Sequence, residues 1–310
     1  MADSLHLLDK PEGWTSHDVV ARMRTLLGER RVGHAGTLDP FASGLLLVGE
    51  GRATGILGCL GLLPKRYHAR AHLGVTTDTQ DRTGAVVARS ARLPGPEEVL
   101  DALGAFRGPL RQRPPLYSAV KVRGERLYEA ARRGVEVERE HRPIQVYALD
   151  LLLADPPLVV LDLTVSRGTY VRTLAHDLGE ALGCGAHLTE LRRTASGPFT
   201  VDRALTCERG SGHGTEEFRA RALKPEDALA FLPRIRLSAD EAARLRHGQA
   251  PTFDRARVEP SGAVWPLPPG VHGWPLALLG PDGALLGIAH AAEEQTEGMA
   301  ARLLRVLADG

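Results

Sequence analysis

Residues Arg66–Val87 read RYHARAHLGVTTDTQDRTGAVV: polar and apolar residues alternate, the chain turns at Asp81 to Gly84, and the apolar pattern resumes with Val86 and Val87. Alternation with a period of two residues is that of a half-buried strand, and two such runs about a polar, glycine-containing turn read as a β-hairpin. A hairpin pairs its strands antiparallel, so this stretch sets the expectation for the sheet. On either side of it, helices and strands mix without the regular alternation of a doubly wound parallel sheet. The expected fold class is therefore α+β, with a mixed, largely antiparallel central sheet and flanking helices.

Upstream, LHLLDKP (Leu5–Pro11) reads as a strand stopped by proline, and TSHDVVARMRTLLGER (Thr15–Arg30) as a helix. Val19, Val20, Met23, Leu26 and Leu27 follow the helical period, Thr15 or Ser16 can cap the start, and Asp18 sits in the first turn. The apolar run in ASGLLLVGEGRATGIL (Ala42–Leu57) begins as strand or helix, and periodicity does not choose between them. Downstream, GPEEVLDALGAF (Gly95–Phe106) is a short helix and PLVVLDLTVSRG (Pro157–Gly168) a strand. In GTYVRTLAHDLGEALG (Gly168–Gly183) a helix carries Val171, Leu174, Leu178 and Leu182 on one face, with Gly183 as its stop. After a loop at Cys207–Gly214, Ser238 and Glu241 form a capping box and Gly248 ends the short helix they open. The short strands and Pro/Gly turns that follow suggest a small β-barrel. The expected domains are residues 1–230 and 231–310.

With 310 residues, 43% hydrophobic content, 25% charged content and a formal net charge of +1, whole-chain composition points to a globular protein and names no partner. The start of the chain lacks a basic segment followed by an apolar run, and no window reaches the ~18 apolar residues of a membrane span. A cytoplasmic location and no membrane partner are expected. Cys59, Cys184 and Cys207 are an odd count without zinc-type spacing, which argues against a disulfide framework or a metal centre and for buried, reduced thiols.

Chemistry concentrates in a few segments. In GHAGTLDP (Gly33–Pro40), Gly33 and Gly36 permit tight backbone geometry, and Pro40 biases Asp39 towards an extended conformation. Such a loop presents a carboxylate at a cleft; equally, Asp39 caps a turn and His34 fills a polar pocket. No phosphate-cradling loop, nucleophile elbow, zinc helix or dinucleotide spacing occurs. A single acid without those companions leaves nucleophilic or acid–base work at one carboxylate. Between Ala105 and Val135 stand Arg107, Arg111, Arg113, Lys121, Arg123, Arg126, Arg132 and Arg133 against Glu125 and Glu129, a local charge of +6 with Tyr117 and Tyr128 interleaved. Cations bind phosphates and aromatic rings stack on unpaired bases, so this composition suits an RNA-contacting arm; a solvated helix face has the same look. Arg172 lies one position off the apolar stripe of its helix. It either points into a neighbouring cleft towards a carboxylate or is an exposed helix arginine.

In order and in wording, DKPEGWTSHDVV, RVGHAGTLDPFASGLL, KRYHARAHLGVTTDTQDRTG, PPLYSAVKVRGERLYEAARRG, RPIQVY and SRGTYVRTLAHDLGEALGCGAHLTELRRTASGPF resemble the blocks of the TruB family of tRNA pseudouridine-55 synthases, over roughly Leu5 to Leu205. The resemblance implies a pseudouridine synthase fold, isomerisation of uridine in the T-arm of tRNA, and no cofactor. It implies that Asp39 is the essential aspartate, that Tyr67 stacks on the target base and serves as a proton-abstracting group, and that Arg172 pairs with Asp39. Leu191 would pack at the floor of the site, His34 would replace the flipped nucleotide in the RNA, and Lys10 and Asp81 would give support. Arg113, Lys121 and Arg132 of the basic segment would contact RNA. The C-terminal part resembles a PUA-type RNA-binding barrel, with an acidic balance of five acids to two arginines over Gly280–Gly310. The expected partner is tRNA at its T-arm and elbow, bound by a monomer. Two other readings stay open: a tRNA-folding chaperone acting on the elbow, and a guide-RNA-dependent catalytic subunit.

Overall fold

Leu45–Val48 is apolar at every position because the strand that carries it is buried on both faces. The computed structural model describes residues 3–118, 121–122, 125–126, 138–208, 210–262, 265–295 and 298–307. The chain opens with β1 (Ser4–Lys10), α1 (Ser16–Leu27), β2 (Val32–Ala35), β3 (Ser43–Glu50) and α2 (Leu57–Leu62). Antiparallel pairing sets Ser4 of β1 opposite Glu50 of β3, and Val32 of β2 opposite the same residue. Leu45 and Leu47 pack with Leu5, Leu7, Ile56 and Leu60, whereas Leu46 and Val48 pack with Leu8 and with Val19, Val20, Met23 and Leu27 of α1. Helix α1 starts in a complete capping box between Thr15 and Asp18 and ends on Gly28 in the left-handed conformation, as the residue types require.

The described chain divides into two compact units, one of Met1–Pro40, Gly44–Leu63 and Gly197–Gly310, the other of Phe41–Ser43 and Pro64–Ser196. The second unit contains β4 (Lys65–Leu73), β5 (Val75–Thr77), β6 (Val86–Arg89), α3 (Pro96–Leu103) and β7 (Gly108–Gln112). Then follow β8 (Lys121–Val122), β9 (Glu125–Arg126), β10 (Arg142–Asp155), β11 (Leu158–Val165), α4 (Val171–Ala181) and β12 (Ala186–Ser196). Its main strands run in the order β12, β4, β11, β10, β7, every neighbouring pair antiparallel.

The hairpin expected over Arg66–Val87 is narrower than the alternation suggests. Val75 lies opposite Arg89 and Thr77 opposite Val86, so β5 and β6 form the hairpin, while β4 pairs with β11 and β12 instead. The chain breaks at Gly74, which takes φ +84°. The face of β4 that carries Tyr67, Ala69, Ala71 and Leu73 is buried, and the backbone of β4 is paired along its length by β11 on one side and β12 on the other.

The first unit resumes with the short strand β13 (Phe199–Thr200), α5 (Thr215–Arg221), α6 (Pro225–Ala228), β14 (Arg234–Arg236), α7 (Ala239–Arg246), β15 (Thr252–Phe253), β16 (Leu276–Leu279), β17 (Leu285–Gln295) and β18 (Gly298–Val306). The last five strands make a sheet in the order β14, β16, β17, β18, β15, with β14 parallel to β16 and the others antiparallel. One face of it packs on Leu237, Ala242 and Leu245 at α7. Ala277, Leu279 and Ile288 share a cluster with Leu5 and Leu47. The capping box expected at Ser238 and Glu241 is present, and Gly248 takes φ +80°. Helices combined with largely antiparallel sheet make this an α+β protein. Among the described residues, no helix is long and apolar enough to cross a membrane.

Candidate functional site

Asp39 sits in the irregular segment between β2 and β3, half-buried, with Leu38 buried before it and Pro40 exposed after it. Gly36 supplies a left-handed turn at φ +80°. The backbone on each side of Asp39 is held by groups from the segment Lys10–Ser16. The Ser16 hydroxyl accepts from Leu38 N at 2.9 Å and contacts Leu38 O at 3.2 Å as donor. Gly13 N donates to Pro40 O at 2.8 Å. The Lys10 side chain is 0% exposed, and its ammonium donates to the carbonyls of Trp14 at 2.6 Å, Pro11 at 2.8 Å and Pro40 at 3.4 Å. A buried ammonium is tolerated when surrounded by such acceptors; two of them belong to the segment after β1 and the third, Pro40 O, to the chain beside the carboxylate. Lys10 thus fixes the loop through its backbone.

His34 lies in β2, opposite Val48, rather than in the loop; Val32 and Ala35 are buried and extend the pairing to the edge of the turn, leaving His34 half-exposed. It is five positions from Asp39 along the chain.

In the second unit, Tyr67 on β4 lies between Leu163 of β11 and Arg193 of β12 and is 8% exposed. Leu191, 7% exposed, is paired with Ala69, two positions along β4, so it shares the face of Tyr67. Lys65 is on that face too. Burial, with the like charges of Arg193 and Arg167, pushes its pKa down to about 7.

Arg172, the second residue of α4, is 2% exposed, which overturns the exposed-helix alternative. Its position faces a shell of carbonyl oxygens: Nη1 donates to Thr79 O at 2.7 Å and Nη2 to Tyr117 O at 2.9 Å. Nη1 is also 3.4 Å from Asp81 Oδ2, an ion pair buried on both sides. Asp81 is 4% exposed, and its Oδ1 accepts from the hydroxyl of Thr79 at 2.9 Å, from Thr83 N at 2.9 Å and from the Thr83 hydroxyl at 2.5 Å. Gln80 adopts φ +63°, rare for a side-chain-bearing residue, and its amide oxygen accepts from Thr173 of α4. Loop and helix start are thereby stitched together around one carboxylate and one guanidinium.

Of the basic segment, Arg113 is exposed and Lys121 starts β8, which pairs antiparallel with β9; Arg132 lies outside the described residues, as do Arg133 and Tyr128. Residue types alone did not reveal the roles of Ser16, Thr79 and Thr83. The density of threonine and aspartate in TTDTQDRTG was the available signal, since such side chains bond nearby backbone. Among the described residues no group of three or more His, Cys, Asp or Glu is arranged to hold a metal ion. The three cysteines are free and buried, and burial pushes Cys59 and Cys207 up to about 11, far from a reactive thiolate. A cavity of about 460 Å³ in the first unit, lined by Thr54, Cys59, His290 and Arg305 among others, includes none of the residues expected to act.

Residues 24–171 match the family model "TruB family pseudouridylate synthase (N terminal domain)", and residues 172–213 match "tRNA pseudouridylate synthase B C-terminal domain". The chain is 47% identical over 310 residues to a protein of Geobacter sulfurreducens named tRNA pseudouridine synthase B, covering 98% of this chain and 99% of that one. A protein of the same name from Thermobifida fusca is 45% identical over 298 residues, covering 93% and 94%. Among solved structures, one titled "Crystal Structure of a Cbf5-Nop10-Gar1 Complex" superposes with a TM-score of 0.72 at 30% identity, covering 99% of this chain and 85% of that one.

Proposed function

The chain belongs to the TruB family of pseudouridylate synthases, and on that premise we propose that it converts the uridine at position 55 in the T-arm loop of tRNA to pseudouridine, acting alone and through Asp39. Formation of pseudouridine in tRNA is the coarse activity. The observation that carries it is 45–47% identity, over nearly the full length, to proteins named for that reaction. The position, the flipping of the base and the residue roles are the finer reading.

The reaction breaks the bond from ribose C1′ to N1 of uracil, rotates the base and joins C1′ to C5. The C5 proton is lost and N1 gains one, so atoms and electrons balance without an external reagent. An anionic Asp39 either attacks C1′ or supports loss of the base towards a glycal-type species. The fixed backbone at Leu38 and Pro40 supports this role, because a nucleophile or base works best where its geometry is set in advance. Arg172 is assigned to pair with Asp39, favouring its ionised form and orienting it. A guanidinium has five N–H donors, so bonds to Thr79, Tyr117 and Asp81 are compatible with a further acceptor. Tyr67 stacks on the flipped base and is the candidate proton acceptor, Leu191 forms the floor beside it, and His34 fills the vacated position in the RNA. Extrusion costs a few kcal/mol, which these contacts offset. Arg113, Lys121 and Arg132 would bind phosphates. Residues 231–310 are assigned as a PUA-like RNA-binding domain on the strength of the five-stranded sheet and its capped helix.

Purified protein and a bare T-arm hairpin test the reading. Pseudouridine should form at the single expected uridine without added guide RNA, and Asp39→Asn should abolish it while hairpin binding persists. Turnover by Asp39→Asn at the parent rate overturns the assignment of Asp39; a strict requirement for a second RNA supports the guide-dependent alternative.

A further inference from the structure

Gln112 ends β7 and is 3% exposed. Its side-chain amide grips the backbone of Tyr170 on both sides: Oε1 accepts from Tyr170 N at 2.7 Å, and Nε2 donates to Tyr170 O at 3.0 Å. This is the exchange that neighbouring strands make, here made by one side chain, and an amide is the uncharged side chain that offers donor and acceptor in that fork. Tyr170 is the N-cap of α4, one position before its first residue, and its own side chain makes no capping bond. The first turn of a helix is its least secured part, since its N–H groups lack partners within the helix. Gln112 supplies the anchorage from outside.

Arg172 lies two positions beyond Tyr170, so the aim of its guanidinium follows the set of this first turn. The same chain segment returns at Tyr117, whose carbonyl oxygen accepts from Arg172 Nη2 at 2.9 Å. The stretch Gln112–Tyr117 therefore holds the start of α4 twice, once by its backbone and once by the arginine itself. In a buried setting such a doubly bonded amide has little freedom to exchange with water.

We propose that Gln112 is a positioning residue for the isomerisation: its amide locks the start of α4 and thereby aims Arg172. The inference rests on the reading above that Arg172 acts at the reacting centre. Gln112 touches no substrate in this account, so its loss should slow the chemical step and leave RNA binding intact.

The test is single-turnover pseudouridine formation at saturating enzyme, with the hairpin dissociation constant and the melting temperature measured on the same full-length preparations. Gln112→Leu keeps the bulk and removes both bonds. Gln112→Glu keeps the acceptor for Tyr170 N and sets a carboxylate against Tyr170 O. Ile144→Val, a buried change on β10 two positions from the residue paired with Gln112, shows what a loss of packing beside the same strands does to the rate. Arg172→Lys reports on the premise. The expected result is a fall of about tenfold or more in rate for Gln112→Leu and Gln112→Glu, with hairpin affinity unchanged and Ile144→Val at the parent rate. If Gln112→Leu does not fold, Gln112→Glu alone decides by the same criterion. Parent rates in the Gln112 variants beside an impaired Arg172→Lys overturn the inference and spare the premise. A parent rate in Arg172→Lys overturns the premise. A rate loss in the Gln112 variants matched by Ile144→Val, or a loss confined to RNA affinity, also overturns the positioning role.

Discussion

Ser16→Ala removes one oxygen and tests whether the segment after β1 holds the Asp39 loop. That hydroxyl is buried and makes two contacts with one residue, accepting from Leu38 N at 2.9 Å and donating to Leu38 O at 3.2 Å. Each such bond contributes about 1 kcal/mol net, and a buried donor left without an acceptor costs about 1–3 kcal/mol. The Leu38 N–H would be left in that state, so the expected loss is about 2 kcal/mol, roughly a thirtyfold change in the unfolding equilibrium. Thr15→Ala is the comparator: it removes the capping box of the same helix without touching Leu38 and should cost about 1 kcal/mol. Urea denaturation gives both stabilities, and single-turnover rates give the functional effect. Ser16→Ala should lose about tenfold or more in rate because Leu38 and Asp39 are adjacent, whereas Thr15→Ala should keep its rate. If Ser16→Ala is no less stable than Thr15→Ala and turns over normally, the loop is held by something else and the reasoning fails.

Asp81→Asn should destabilise by about 3 kcal/mol, because it leaves a buried guanidinium facing a neutral amide, and it should lower the rate with little change in hairpin affinity; equal stability by urea denaturation would refute it. Lys65 offers a pH signature. Its folded pKa of about 7 lies below the unfolded value near ~10.4, so the unfolded chain binds the extra proton and stability rises with pH across that window. Lys65→Met should flatten that rise relative to the parent, and parallel stability profiles from pH 7 to 10 would refute the assignment. Glu241 behaves in the opposite sense: hydrogen bonds from Arg257, with further support from Ser238, hold its pKa down to about 2 against an unfolded value near ~4.3. Its contribution is present above the unfolded value and is lost as pH falls towards 2, so Glu241→Gln should remove that part of the acid limb in a titrated melting experiment.

Local patterns were legible wherever one segment settles its own structure. Thr15 with Asp18 and Ser238 with Glu241 specify helix starts because the bonds they make are three residues away. Gly183 and Gly248 lie where their permissive backbone ends helices. Leu45–Val48 resisted assignment because its two faces meet different clusters, and no period can show a strand that is apolar all round. The Arg66–Val87 pattern was read correctly as strand and turn, but its partners were misassigned: β4 pairs with residues about ninety and about one hundred and twenty positions away. Nothing in an alternating run names a distant partner.

The sequence by itself determined the residue types proposed for the chemistry, the caps and turns around them, and, through ordered blocks, the family. Tertiary structure alone decided that Arg172 is buried against Thr79, Tyr117 and Asp81, that Ser16 and Lys10 hold the backbone beside Asp39, and that Gln112 grips Tyr170. The physical reason is range. Caps and turns are closed by bonds across a few residues, while the orientation of a buried charge is set by carbonyls and carboxylates that only folding of the distant chain brings within about 3 Å.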